Sequence, residues 1–312
     1  MKLSIIFIIV SILIPSNLVY SQTEFYPAKT IDIRFFGGKS SGTSFFDLDG
    51  ETTFELPDKS LDDEQPERDY IFEYSSFESG IKVEYAPIEN LVIFSEIPVV
   101  YHTLLQKADT MVYYISDTVN ITYDSISYKK QTADYSLFQT SYFSIGGRYK
   151  FYSKLAYVAA LAELRIPPGF HQGIQNDPDY TFLSDGALEI HTGFLLGIKF
   201  EKGWLESAFS YHYRGEELVD YVNIHTEFGL TTVPGSKLGA QLDFIQSLGN
   251  FNEAVEFEPR LTTLQENLLQ AGFMFQLFIT DNWYVDFSYK VNLIGKNALN
   301  KSGYLIGAGI RL

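Results

Sequence analysis

Cysteine is absent from this 312-residue chain, which removes disulfides, thiolate metal sites and a lipid-modified cysteine anchor from consideration. Apolar runs of transmembrane-helix length are missing as well. The longest, Ile5–Ile14, is too short to span a bilayer. Positive charge is scarce: the formal net charge is −16, which argues against nucleic acid or an anionic surface as a partner. The acidic segment 45–68 has no calcium-loop spacing, and no nucleophile elbow surrounds Ser210 and the histidines near it. No linker composition divides the chain, so one domain is expected.

What is present begins with an export signal. Met1-Lys2 supplies a positive start, the Ile5–Ile14 run follows, and Val19-Tyr20-Ser21 fits the cleavage subsites. A secretory signal peptide over 1–21, cut after Ser21, is expected, leaving 22–312 as the mature domain.

That domain alternates. Near the C-terminus, Leu269, Ala271, Phe273, Phe275, Leu277 and Ile279 recur with a period of two. After the turn signal Asp281-Asn282 the pattern resumes at Trp283, Val285, Phe287, Tyr289 and Val291, then again at Tyr304, Ile306, Ala308, Ile310 and Leu312. Comparable segments run back through the chain to Ile31, Ile33 and Phe35, and give about twelve strands, an even number as closure requires. Aromatics make up 16% of residues, with 22 Tyr and 26 Phe, a bias suited to interfacial girdles. The expected fold is all-β: a single antiparallel up-and-down transmembrane β-barrel of the outer membrane, with long extracellular loops and short periplasmic turns. Residues 22–30 read as a short periplasmic lead. Long outer loops are expected at 45–68, 103–134, 170–184 and 248–266, although alternation in MVYYISDTVNITYDSISY extends the second as a hairpin. A Lys296–Ser302 loop should face outside, Trp283 should lie at the periplasmic interface, and Pro98, which cannot donate to a ladder, should mark a rim or bulge. The last strand should pair with the first near Ile31–Phe35, placing Leu312 at the periplasmic rim.

The inward positions carry the functional argument. By parity, the lumen-lining residues are Glu78, Lys82, Glu84, Glu96, Arg148, Lys150, Glu163, Arg165, Glu189, His191, Lys199, Glu206, His212, His225, Glu227, Lys237, Asp243, Asp286, Lys290 and Arg311, joined by Asp32 and Arg34. Acids and bases are close in number, so the lumen is near neutral and the excess negative charge belongs to the loops. A single-sign selective pore would be biased one way, and a twelve-strand barrel is narrower than an open porin. These charges are expected to pair into a lumen-filling network in preference to a specific polar-ligand site. Ser210 and His212, with His191 across the strand, are the only hydrolase-like grouping, and it lacks a recognisable motif. The inward His191, His212 and His225 with Glu189, Glu206 and Glu227 could gather a metal, but a hydrated polar lumen explains them equally well, so no metal, cofactor or catalytic residue is assigned.

Five segments carry a family resemblance: GTSFFDLDGE (42–51), VEYAPIENLVIFSEIPVVY (83–101), LRIPPG (164–169), SDGALEIHTGFLLG (184–197) and YKVNLIGKNALNKSGYLIGAGIRL (289–312). In this order they resemble the outer-membrane barrels associated with meta-pathway phenol degradation and, more loosely, hydrophobic-compound transporters. The resemblance implies a barrel of about twelve strands and a passive route for small aromatic or hydrophobic solutes, with no catalytic residues. The chain departs from it by ending in Leu312 where an aromatic is usual. The implied partners are outer-membrane lipid, the solute and the barrel-assembly machinery. A non-transporting surface barrel acting through its loops is the alternative, and a barrel lipid hydrolase the less favoured one.

Overall fold

A computed structural model describes residues 25–46, 52–53, 70–117, 122–140, 142–153, 156–167, 188–214, 220–231, 236–248, 267–296 and 298–312. The alternating segments form β1 (Thr30–Phe46), β2 (Thr52–Thr53), β3 (Tyr70–Ile88), β4 (Leu91–Asp117), β5 (Thr122–Thr140), β6 (Phe143–Ser153), β7 (Ala156–Ile166), β8 (Glu189–Phe200), β9 (Gly203–Arg214), β10 (Tyr221–Thr231), β11 (Ser236–Ser247), β12 (Asn267–Phe278), β13 (Trp283–Lys296) and β14 (Ala298–Arg311). β2 is a stub on β1, and β5 and β6 follow each other along one stave beside β4. The result is a closed barrel of 12 antiparallel staves.

Closure occurs at the expected seam. β14 pairs with β1 from Asp32↔Arg311 to Phe46↔Ala298, and Ile31 and Leu312 exchange backbone hydrogen bonds at 2.9 and 2.8 Å. A closed sheet leaves no edge with unpaired donors, the condition for crossing lipid with strands.

Burial is inverted relative to a soluble sandwich. Phe35, Phe77, Ile145, Phe194, Phe228, Leu242 and Ile306 are exposed on the outer surface, while Arg148, Lys290, His191, His225, Glu206 and Glu227 are fully buried. β11 shows the alternation directly, each buried inward residue flanked by an exposed or half-buried outward one over most of its length. An aqueous fold would place those two sets the other way round. Among the described residues, the short connections at 89–90, 201–202 and 279–282 share one rim with Leu312 and the N-terminal lead. That rim is periplasmic, because such barrels keep short turns on that side. Trp283 is exposed there.

Four expectations change. The hairpin extension expected within the second outer loop is longer than the loop itself: β4 and β5 pair from Val99↔Thr140 to Asp117↔Thr122, with register shifts near Ile115. The first outer loop starts later than Phe45, since Phe45 and Phe46 still pair with Leu299 and Ala298. Lys296–Ser302 is not a loop; β13 ends at Lys296 and β14 begins at Ala298. Ladder bonds to β12 on one flank and β1 on the other outweigh the turn-forming character of Asn and Gly there. The lead is not free in the periplasm either. Phe25 and Tyr26 turn into the barrel, and Lys29 adopts φ 69° with its N–H donated to the Ala86 carbonyl at 2.6 Å, which aims the chain inward just before β1. The signal peptide and the loops at 170–184 and 249–266 lie outside the described residues.

Candidate functional site

The lumen is built from aromatic rings laid across glycines. Phe36 faces Gly80, Phe94 faces Gly146, Tyr157 faces Gly197, Trp204 faces Gly229 and Tyr284 faces Gly309, each directly opposite on the neighbouring strand. A Cβ at any of these glycines would collide with the ring. A side-chain-free position lets the ring lie flat against the wall instead of projecting across the bore. Three of the rings hold a carboxylate at their polar edge: the Tyr157 hydroxyl donates to Glu206, the Trp204 indole N–H to Glu227, and the Tyr284 hydroxyl to Asp32 at 2.6 Å.

The remaining charges pair as the near-neutral lumen requires. Glu84 accepts from Arg148 at 2.8 Å and lies 2.9 Å from Lys82. Arg34 Nε donates to Asp286 at 2.8 Å, and Arg311 Nε to Asp32 at 3.1 Å. Asp243 sits between Lys290 at 2.5 Å and His225 at 2.7 Å. Towards the outer end, Arg165 lies 3.1 Å from Glu163 and 3.7 Å from Glu189, with His191 between the same two carboxylates. Glu96 accepts from Tyr142 at 3.2 Å. Four amines lie over aromatic faces: Lys82 5.6 Å from the Phe94 centroid, Lys150 4.7 Å from Phe25, Lys199 5.9 Å from Tyr157, and Lys237 5.9 Å from Trp204. Glu78 borders the upper cavity.

These groups enclose two cavities. The periplasmic one, about 300 Å³, is lined by Tyr26, Tyr157, Trp204, Met274, Tyr284, Lys237 and Arg311 among others. The outer one, about 70 Å³, is lined mostly by polar and charged groups, among them Glu78, Tyr142, Glu163, Arg165 and His212, with Phe36, Phe94, Leu161, Ile245 and Leu305 as its apolar lining. Lys82 borders both, Glu84 faces the lower and Arg148 the upper, so their ion pair stands between them. The lower cavity is closed further by the lead. Tyr26 donates to Glu84 at 2.9 Å under the Arg311 guanidinium, and Phe25 packs on Ala159, Leu195 and Ala208.

Beside the upper cavity β4 changes partner, from β6 to β5. β4 pairs with β6 up to Glu96↔Ser144 and with β5 from Val99↔Thr140 onward. Among the described residues, Ile97 and Pro98 make no ladder pair on that side, and Tyr142, between β5 and β6, lines the cavity. Proline has no N–H to contribute, so the ladder breaks where the sequence requires it to.

Ser210 Oγ lies 2.7 Å from His212 Nε2, but both are buried in the lumen and no carboxylate accepts from His212 Nδ1. A hydrolytic triad needs that third group and a position at the lipid interface. The inward aromatics were partly legible: parity puts Trp204 and Tyr284 inside because Leu205 and Val285 point out. Nothing in the sequence marks Phe25 and Tyr26.

No family model matches the sequence, and no curated protein does. Among solved structures, the COG4313 outer membrane channel from Pseudomonas putida F1 superposes with a TM-score of 0.63 at 10% identity, over 95% of this chain and 99% of that one. The chain shares the fold of an outer-membrane barrel. The toluene transporter TodX of P. putida (TM-score 0.42, 9% identity, 92% of this chain and 90% of that one) and the CymD monoaromatic hydrocarbon channel (0.42, 7%, 92% and 88%) are more distant.

Proposed function

We propose that this barrel is a passive outer-membrane route for small hydrophobic solutes, aromatic ones included, which enter the upper cavity from outside and leave sideways through the wall at Pro98. The observation that supports the reading is the change of partner of β4 from β6 to β5 around Pro98, beside a cavity lined in part by apolar side chains, while the axial path is crossed by the buried Glu84–Arg148 pair. A hydrophilic solute would have to break that pair, whereas an apolar one needs only a gap in the wall. The sequence resemblance to barrels of meta-pathway phenol degradation favours the same class of solute. Residues 1–21 serve as the export signal in this reading, and the barrel-assembly machinery inserts the mature chain.

Because phospholipid bilayers pass small aromatics unaided, the test belongs in cells whose outer leaflet is lipopolysaccharide. Uptake of labelled toluene or phenol should rise on expression of the barrel over an empty vector. Equal uptake would sink the proposal. One observation favours the alternative of a surface barrel that transports nothing: the lumen is filled with paired charge. Unchanged uptake, with envelope integrity lost on deletion, would support that reading.

A further inference from the structure

One group of lumen side chains is arranged for something the transport reading does not use. His191 on β8 and His212 on β9 are direct cross-strand partners, and Glu189 shares the inward face two residues before His191. One ligand atom from each of the three lies within 4.8 Å of the others. A four-coordinate zinc ion with bonds of about 2.0–2.2 Å needs its ligands roughly 3.3–3.6 Å apart, so side-chain rotation alone could close the set. Both imidazoles are buried, at 2% and 6% exposure, and their rings lie 3.7 Å apart.

The hydrogen bonds around the two rings fix which nitrogens are available. Glu163 lies 3.2 Å from His191 Nδ1, leaving Nε2, 2.8 Å from Glu189, as the nitrogen facing the shared point. Ser210 Oγ lies 2.7 Å from His212 Nε2, leaving Nδ1 buried with no hydrogen-bond partner. An orphaned buried imidazole nitrogen destabilises the fold unless something binds it. Carboxylate and hydroxyl groups on the far side of metal-bound histidines are what orient such ligands. The outer cavity reaches His212 and Glu163, so a fourth position would open to it.

We propose that His191 Nε2, His212 Nδ1 and a Glu189 oxygen bind a divalent ion of the zinc class near the outer end of the lumen. The ion takes the place of the His191 Nε2 proton, which is released to solvent. Glu163 keeps its bond to Nδ1 and its pairing with Arg165 at 3.1 Å, while the looser contact of Arg165 with Glu189 at 3.7 Å has to open as that carboxylate turns to the ion.

The test uses the full mature barrel in detergent micelles, stripped with chelator, with Zn²⁺ measured by mass spectrometry after gel filtration and Co²⁺ as a spectroscopic probe. Folding of each variant is checked by the faster migration of unheated barrels in SDS gels. Wild type should retain one ion per chain and give the strong visible absorption of four-coordinate cobalt. H212Q should abolish that band and weaken Zn²⁺ by at least ~10-fold, and E189Q should weaken it by a similar factor. No retained ion and no visible band in wild type would overturn the proposal, as would full binding by folded H212Q, which would assign the ion to the acidic loops. If H212Q does not fold, E189Q and the wild-type spectrum decide in the same way.

Discussion

Trp204 lying flat on Gly229 is a contact that a single methyl group abolishes. The Cβ of an alanine at 229 would occupy the space of the indole, whereas one at 147 meets nothing closer than the Val92 carbonyl at 3.4 Å. Gly229→Ala should therefore destabilise the barrel by about 1–3 kcal/mol as the ring is forced off its rotamer, and Gly147→Ala should be near neutral. Urea unfolding followed by gel mobility measures both, and the emission of Trp204 should shift only in the first. Equal stability of the two variants would show that the ring does not depend on that glycine. The Glu84–Arg148 pair makes a complementary case. Both side chains are buried, with exposures of 8% and 1%, so removing one partner strands the other. Arg148→Met should cost about 3 kcal/mol, at the low end for a broken buried pair because Lys82 still faces Glu84, and Glu84→Gln on top should recover part of it. A double variant weaker than the single would contradict that pairing.

At the scale of elements, the staves and their seam were legible because parity is the one constraint a lipid-facing wall cannot relax: a slipped register would turn Phe35 and Arg34 to the wrong faces. Elements failed to show where pairing, rather than parity, decides. The full length of the β4–β5 hairpin, whose existence the alternation had shown, and the strand pairing of Lys296 and Ala298 are set by neighbouring strands, and a single sequence does not announce who its neighbours are. The strap of Phe25 and Tyr26 was invisible for a different reason, since two aromatics before a strand carry no period. The candidate site divided in the same way. Its charged positions followed from alternation, but their grouping into a Glu84 cluster, an Asp243 cluster and a Glu163–His191–Glu189 cluster depends on distances between staves. Pro98 was legible as a ladder breaker, and its consequence can be tested. Pro98→Val restores an N–H and a β-branched side chain to β4, so the wall should close over Tyr142. Solute uptake should fall severalfold while unheated gel mobility stays unchanged. Undiminished uptake would move the exit elsewhere.

For the whole molecule, the question is how two closures on one axis combine. The strap lines the periplasmic cavity with Tyr26 and is anchored by Phe25 on Ala159, Leu195 and Ala208, and the Glu84–Arg148 pair separates that cavity from the outer one. Tyr26 bonds to Glu84 itself, so the strap also props the ion pair. For ions these closures are resistances in series, and the larger one sets the current until it is removed. Phe25→Ala/Tyr26→Ala in an otherwise intact barrel should therefore raise single-channel conductance by no more than about twofold, since charged groups still cross the bore. Arg148→Ala alone should give a similarly small rise, because the strap remains. Combining them should raise conductance by more than the product of the separate effects, and uptake of hydrophobic solute through the wall should change little in any of the three. Planar-bilayer recordings at fixed salt measure the first quantity and cell uptake the second. A strap variant that opens fully alone would mean that the ion pair offers no barrier, and an axial route would then replace the lateral one.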